Sequence, residues 1–341
     1  MATIEHISVH KAGNKQLDET LYISKQPLKA DDNLKTLLSD FFLRAFKTEE
    51  YYSFQHDTSL DLNEVYTYVK AIFENPEQLH EQSINLVKHL YNQSVHPKIK
   101  GGEFYVVYFK DCHFNGVETD AVGLFKTENK DTYLEVEAIV DGIEVESREG
   151  ININKLDKGC LIYNQEKEKG YVLSIVDNVN KGTEAQYWKD DFLHVLIQNN
   201  DFHQTNQFMG IAKNFVTKQL TEDFDMSKAE QIDYLNRSVE YFKTHDTFDK
   251  QQFEEEVFHH ENVIESFRRF DEHYRNEHVM EVADNFDISS QAVKKQARIF
   301  KSVLKLDKNF HIYIHGNRDM IEQGVDENGR KFYKIYFEQE S

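Results

Sequence analysis

The strongest constraint on this 341-residue chain is a change of hydrophobic period partway along it. After Gly101-Gly102 apolar residues recur at every second position. "EFYVVYFKDC", "DAVGLFKTEN", "TYLEVEAIV" and "GININK" read as strands set apart by Gly, Asn and Asp turns. "KGCLIYNQ" and "GYVLSIVDN" extend the series across a charged turn, Glu166 to Lys169. From Ala185 to Lys301 strands nearly vanish, and "DFHQTNQFMGIAKNFVTKQL", "MSKAEQIDYLNRSVEYFKTH", "FDKQQFEEEVF" and "NVIESFRRFDEHYRNEHVMEVA" suit helices. A period of two cannot serve a helix without turning half the apolar side chains to water. The prediction is an α+β protein. Residues 1–180 form a mostly antiparallel sheet with helices, and residues 185–341 a mainly helical region ending in a basic segment and a short β-hairpin.

Smaller signals fill in the ends. "IEHISVHKAGNKQLDETLYIS" alternates on both sides of Gly13-Asn14 and predicts a hairpin. From Asp31, Leu34, Leu37, Leu38, Phe41, Phe42 and Ala45 share one helical face. Asp61 with Glu64 reads as a capping pair for a second helix, and Pro76 opens a third from Glu77 to Tyr91. "KSVLKLDKNFHIYI" reads as a hairpin turning at Asp307-Lys308-Asn309. "DENGRKFYKIYFEQ" forms a closing strand after Asn328-Gly329, expected to pair with "NFHIYIHG".

With 25 Phe and 18 Tyr the chain can fill a large core, and its three prolines and lack of a Ser/Gly-rich linker indicate a folded protein. "MATIEHISVHKAGNK" lacks the apolar run of a secretory signal, and no window approaches the ~20 apolar residues that cross a bilayer. The two cysteines, Cys112 and Cys160, are too few for a disulfide framework. A cytoplasmic protein without membrane contact is expected. Sixty acids against forty bases give a net charge of −20, which repels nucleic acid at long range. Any contact with DNA must therefore be local, within a Debye length of about 8–10 Å.

Most chemical motifs are missing. His6 and His10, like His311 and His315, lie four apart in predicted strands, about 13 Å and too wide for one ion. His273 and His278 point roughly 140° apart on a helix. There is no H-E-x-x-H, no phosphate loop, no dinucleotide fingerprint and no G-x-S-x-G, so neither metal nor cofactor is expected. Asp120 with Glu128-Asn129-Lys130 superficially fits the acid…E-x-K pattern of metal-dependent nucleases, although "KTENKDT" reads better as a hairpin turn. Glu135, Glu137, Glu144 and Glu146 mark the solvent face of two strands.

What remains is charge segregation. Thr221 to Asp287 holds nineteen acids and seven bases, whereas Gln291 to Phe337 holds ten bases and five acids. As one helix, Lys294, Arg298, Lys301, Lys305 and Lys308 would form a stripe at steps of 4, 3, 4 and 3. The preferred reading ends the helix near Phe300, because β-branched and aromatic alternation takes over after Lys301. Lys294, Lys295 and Arg298 then project from the helix, Lys301 and Lys305 from one strand face, and Arg318, Arg330, Lys331 and Lys334 add to the cluster. Such amines bind phosphates without sequence preference and with strong salt dependence. The competing explanation is a solvated face or a patch held against the protein's own acidic helices.

The N-terminal "IEHISVHKAGN…LYIS", the strand "GGEFYVVYF", the helix "NDFHQTNQFMGIAKNFV" and the closing "LKLDKNFHIYIHG…VDENGRKFYKIYF" together resemble the bacterial nucleoid-associated protein family of the YejK/NdpA type. The likeness runs from about Ile4 to Phe337 and rests on apolar pattern, with no catalytic signature. It implies a non-enzymatic protein of the nucleoid that binds double-stranded DNA; the contact residues come from the charge argument alone. The second reading is an interaction module whose acidic helices bind a DNA-maintenance protein such as a topoisomerase. The third is a metal-dependent nuclease. Self-association is compatible with either of the first two.

Overall fold

The computed structural model describes residues 2–179, 187–300, 303–306, 309–313 and 320–339. The chain forms two compact units, Met1–Gln198 and Asn199–Ser341.

The first unit is built on β1 (Thr3–Ala12), α1 (Asp32–Leu43), β2 (Tyr51–Phe54), α2 (Glu64–Glu74), α3 (Leu79–Gln93), β3 (Gly102–Phe114), β4 (Val117–Thr127), β5 (Asp131–Ile139), β6 (Gly142–Gly150), β7 (Lys158–Tyr163), β8 (Val172–Asp177) and β9 (Val195–Ile197). Seven strands form one antiparallel sheet in the order β1-β3-β4-β7-β8-β2-β9. The period of two divides β3 between two cores. Phe104, Val106 and Tyr108 pack with Val69, Leu86 and Leu90 of α2 and α3. Val107 and Phe109 face the other way, onto Phe41 and Phe42 of α1. Covering both faces explains why the central strands are almost continuously apolar. Burial pushes the thiol of Cys112 up to about 11 and that of Cys160 well above its ordinary value, so both are inert.

Four local expectations are corrected. The first segment does not form a hairpin: β1 pairs along its length with β3, and the returning chain meets it at one bridge, Lys11 with Tyr22, and at Leu28, whose N–H donates to Ile7 O at 3.0 Å. α2 is capped by Asn63, whose side chain accepts from Tyr66 N, because Asp61 lies in a preceding 3-10 turn. "GININK" is a loop, and the strand is the preceding β6. "KTENKDT" is not a hairpin turn, since β4 pairs with β7 while β5 pairs with β6.

The second unit begins with α4 (Asp201–Asn214), which runs through a wide π turn at Phe215–Gln219 into α5 (Leu220–Asp223). α6 (Lys228–Thr244) starts from a reciprocal capping box of Ser227 and Glu230. Then follow β10 (Thr247–Asp249), α7 (Lys250–Phe258), α8 (Glu261–His278), β11 (Asn285–Asp287) and α9 (Ser290–Ala297). Phe208, Phe215, Phe242, Phe248, Phe253, Phe258 and Phe267 interlock in the core mainly at tilted and edge-on angles, with Phe242 and Phe248 stacked in parallel at 5.6 Å, the geometries that ring quadrupoles favour. Two hairpins close the chain: β12 (Val303–Leu306) with β13 (Phe310–Tyr313), as expected, and β14 (Ile321–Val325) with β15 (Lys331–Ile335). The closing strand thus takes β14 as partner in place of "NFHIYIHG". Leu306, Ile312, Ile321 and Tyr333 pack on Ile232 of α6.

Candidate nucleic-acid interface

α9 is short and held from below. The Ser289 hydroxyl caps it by accepting from Ala292 N, while Ser289 N donates to Thr205 Oγ1 on α4 at 3.1 Å. Gln296 Nε2 donates to Asn206 Oδ1 at 3.0 Å, and Ala292, Val293 and Phe300 are buried. That anchoring turns Lys294, Lys295 and Arg298 to solvent. Lys294 and Arg298, four residues apart, share one side of the helix. Among the described residues neither has an ion-pair partner. Lys295 lies 5.3 Å above the ring of Phe202. Cations in a last helical turn also offset the helix dipole, which is a structural reason for the same placement.

The second unit also holds a buried ionic cluster. Asp271 is buried and bound by Lys250 and Arg275, each at 2.6 Å. Arg275 Nη1 donates to Val282 O at 2.6 Å, which fixes the chain as it returns from α8 toward β11 and α9. The surroundings are acidic: burial, and then the charge of Asp287, raise the carboxyl of Asp201 at the start of α4.

The other expected contacts lie on the closing hairpins or outside the described residues. Arg330 bonds to Asp326 at 2.9 Å, and its backbone N–H also donates to Asp326, so it serves the tight turn before β15. Lys331 opens β15 and is exposed, while Lys334, on the opposite face, pairs with Glu322 at 3.5 Å. Lys305 sits on β12 opposite His311. The Lys305 side chain and all of Lys301, Lys308 and Arg318 lie outside the described residues.

One cationic concavity was not anticipated. In the first unit a cleft of about 780 Å³ is lined by Arg44, Lys47, Lys130 and Lys155, with Asn129, Asn152, Asn154 and Asn178. Lys130 is neutralised by Glu103 at 3.0 Å and Lys155 by Asp131 at 3.5 Å. Asp157 also lines the cleft; Arg44 donates to Asn154 at 2.7 Å, and Arg44 with Lys47 outweighs the Asp157 carboxylate. These bases come from distant parts of the sequence, and no local run announces them.

The acid…E-x-K pattern does not assemble. Asp120 accepts from the Tyr108 hydroxyl near one end of β4, about eight residues or 27 Å from Glu128 beyond the other end. Glu128 is buried against Lys126 at 2.9 Å and accepts from the Tyr187 hydroxyl at 3.0 Å. The histidines do not converge either: His10 bonds to Ser83, and His278 to the carbonyl of Tyr274. Among the described residues no three His, Cys, Asp or Glu side chains meet as a metal would require, and no helix is long and apolar enough to cross a membrane.

A family model described as NA37, nucleoid-associated protein YejK, matches residues 6–330. No curated protein matches the chain.

Proposed function

The chain belongs to the YejK nucleoid-associated protein family, and from that premise we propose that it grips double-stranded DNA by its phosphates through the outer face of α9. It is read as a cytoplasmic, non-enzymatic protein of the nucleoid. The observation that carries this is an anchored helix whose three exposed cations, Lys294, Lys295 and Arg298, face solvent from a strongly acidic protein. A short exposed helix without a base-reading module positions phosphates and carries little sequence information. Lys301, Lys305, Lys308, Arg318, Arg330 and Lys331 belong to the same proposal as neighbouring contacts.

Reversing Lys294, Lys295 and Arg298 to glutamate is expected to weaken binding at low salt about tenfold or more. The log–log salt slope should flatten by up to about 3, close to one per phosphate lost. Retention of affinity and slope in a correctly folded triple variant would overturn the assignment. The pair Arg44→Glu and Lys47→Glu serves as a comparison: if only that pair weakens binding, the contact lies in the cleft of the first unit.

A second reading draws on the exposed acids Glu255, Glu256, Glu261, Glu265, Glu272 and Glu277 along α7 and α8. They suit a basic protein partner that itself acts on DNA. An association that survives complete nuclease digestion of a lysate supports this reading, and one lost with the DNA counts against it.

A further inference from the structure

β5 and β6 leave the main sheet and, among the described residues, pair only with each other, in register from Asp131–Gly150 to Ile139–Gly142. An isolated two-stranded ribbon is marginally stable in water at best. On one face of this ribbon Leu134, Val136, Ile143 and Val145 are between 56% and 70% exposed, and Val140 at the tip is fully exposed. On the other, Glu135 stands opposite Glu146, and Glu137 opposite Glu144. Like charges placed directly opposite weaken a strand pair. Arg148 relieves one of these pairs, at 2.6 Å from Glu135 and 3.2 Å from Glu146. The cross-strand contacts therefore account poorly for an ordered ribbon, and covering its aliphatic face would supply what is missing.

We propose that the ribbon is a self-association arm, covered by the same face of a second copy of this chain. Its side-chain volumes are self-complementary. Across the ribbon Leu134 faces Ser147, Val136 faces Val145, and Ala138 faces Ile143, so the large residues lie on one diagonal and the small on the other. Stacking two ribbons base over tip about a twofold axis sets Leu134 over Ala138, Ile143 over Ser147, and Val136 over its own symmetry mate. Large meets small throughout, as a packed layer requires. The acidic faces then point outward on opposite sides of a sandwich about 10 Å thick. Base-over-tip stacking also sends the two bodies to opposite ends. Residues 1–198 carry 33 acids and 21 bases, a balance of −12, so separating them limits repulsion.

The area sets the strength. A ribbon about 30 Å long and 10 Å wide covers roughly 300 Å² per copy, against about 800 Å² per partner in a stable complex. The association is weak, of micromolar affinity or poorer, and reversible.

Sedimentation velocity on the nuclease-treated full-length protein at high salt, across the micromolar range, tests this. A reversible monomer–dimer equilibrium is expected. Val136→Glu with Val145→Glu should leave only monomer, with unchanged circular dichroism and melting. A Val136→Cys variant should also give a covalent dimer with a short bis-maleimide, since Cys112 and Cys160 are buried. Wild type that stays monomeric at the highest concentration overturns the proposal, as does a dimer that persists in the glutamate variant. If the glutamate variant misfolds, the cross-link decides: none formed means that the arm does not meet its own copy.

Discussion

Replacing Lys126 by methionine is expected to cost the first unit about 3–5 kcal/mol and to lower its melting temperature by roughly 10 °C. Lys126 lies in a strand whose residues are buried on both faces, and its ammonium has no access to water. It is held by the carbonyl of Lys100 at 2.7 Å, Glu128 at 2.9 Å and the Tyr187 hydroxyl at 3.0 Å. Burial lowers its pKa and the charge of Glu128 opposes that shift. Lys158, also fully buried, pairs with Asp177 at 2.6 Å, and both ammonium groups lie over the ring of Tyr187, at 5.4 and 5.3 Å. Nearby, Asp157 accepts from the backbone N–H groups of Glu128 and Asn129, fixing the chain where it leaves the sheet for the arm.

Removing the ammonium alone strands the Glu128 carboxylate, which is 1% exposed. Removing both partners, Lys126→Met with Glu128→Met, leaves no charge uncompensated and is expected to restore more than half of the loss. Thermal and denaturant melts of the single and double variants measure this. A single-variant loss below about 1 kcal/mol would mean that the pair behaves as a solvated surface bridge.

The second large effect is acid lability through His10. This residue is 2% exposed, and Ser24 N donates to its Nδ1 at 3.1 Å. A backbone N–H can only donate, so Nδ1 holds the lone pair, and Nε2 carries the proton toward Ser83 Oγ at 2.8 Å. Protonating Nδ1 would set two donors against each other. Burial first, and then the neighbouring His80, push the pKa from 6.5 down to about 4.

Because the folded value lies below the unfolded one, the unfolded chain binds more protons between pH 6.5 and 4. This contribution is complete above about 6.5 and is lost as pH falls toward 4. The gap bounds the loss at roughly 3 kcal/mol, and screening by nearby water brings it to about 2 kcal/mol. His10→Gln, which keeps a donor and an acceptor, should flatten the stability profile across that window. Denaturant melts at steps of pH check it; an unchanged slope in the variant would assign the acid lability elsewhere.

Neighbouring features differed in how legible they were because of where their causes lie. The helix carrying Lys294, Lys295 and Arg298 was readable because its cap, apolar stripe and cations all fall within a dozen residues. The long strands β1, β3, β4, β7 and β8 were readable for the same reason, whereas the short β2 and β9 were not. Partners were not. Nothing local distinguishes Tyr22, which bridges once to β1, from a residue of a true hairpin. The closing strand pairs with β14, the strand just before it, and "IEQGV" carries too weak an alternation to announce that partner. Lys126 and Lys158 look like ordinary surface lysines in alternating strands, since Glu128, Asp177 and Tyr187 declare their role only after folding. The cleft around Arg44 and Lys47 drew on four separate segments and left no sequence trace. The alternation of Leu134, Val136 and Ala138 announced a strand, but not that the strand would leave its sheet.

The π turn at Phe215–Gln219 has a consequence for the helix that runs through it. A regular helix advances 100° per residue, so Leu220 would stand about 120° from Phe208, well off the buried stripe. Widening one turn absorbs the equivalent of one residue and rotates everything beyond it back by roughly 100°. Leu220 thereby returns to the side of Phe208, Ala212 and Phe215, and all four are fully buried. The turn acts as a phase correction between two apolar stripes that are out of step in the sequence. Deleting one of its residues would make the correction unnecessary: Leu220 would then stand about 20° from Phe208 in a regular helix, and both halves would still face the same core.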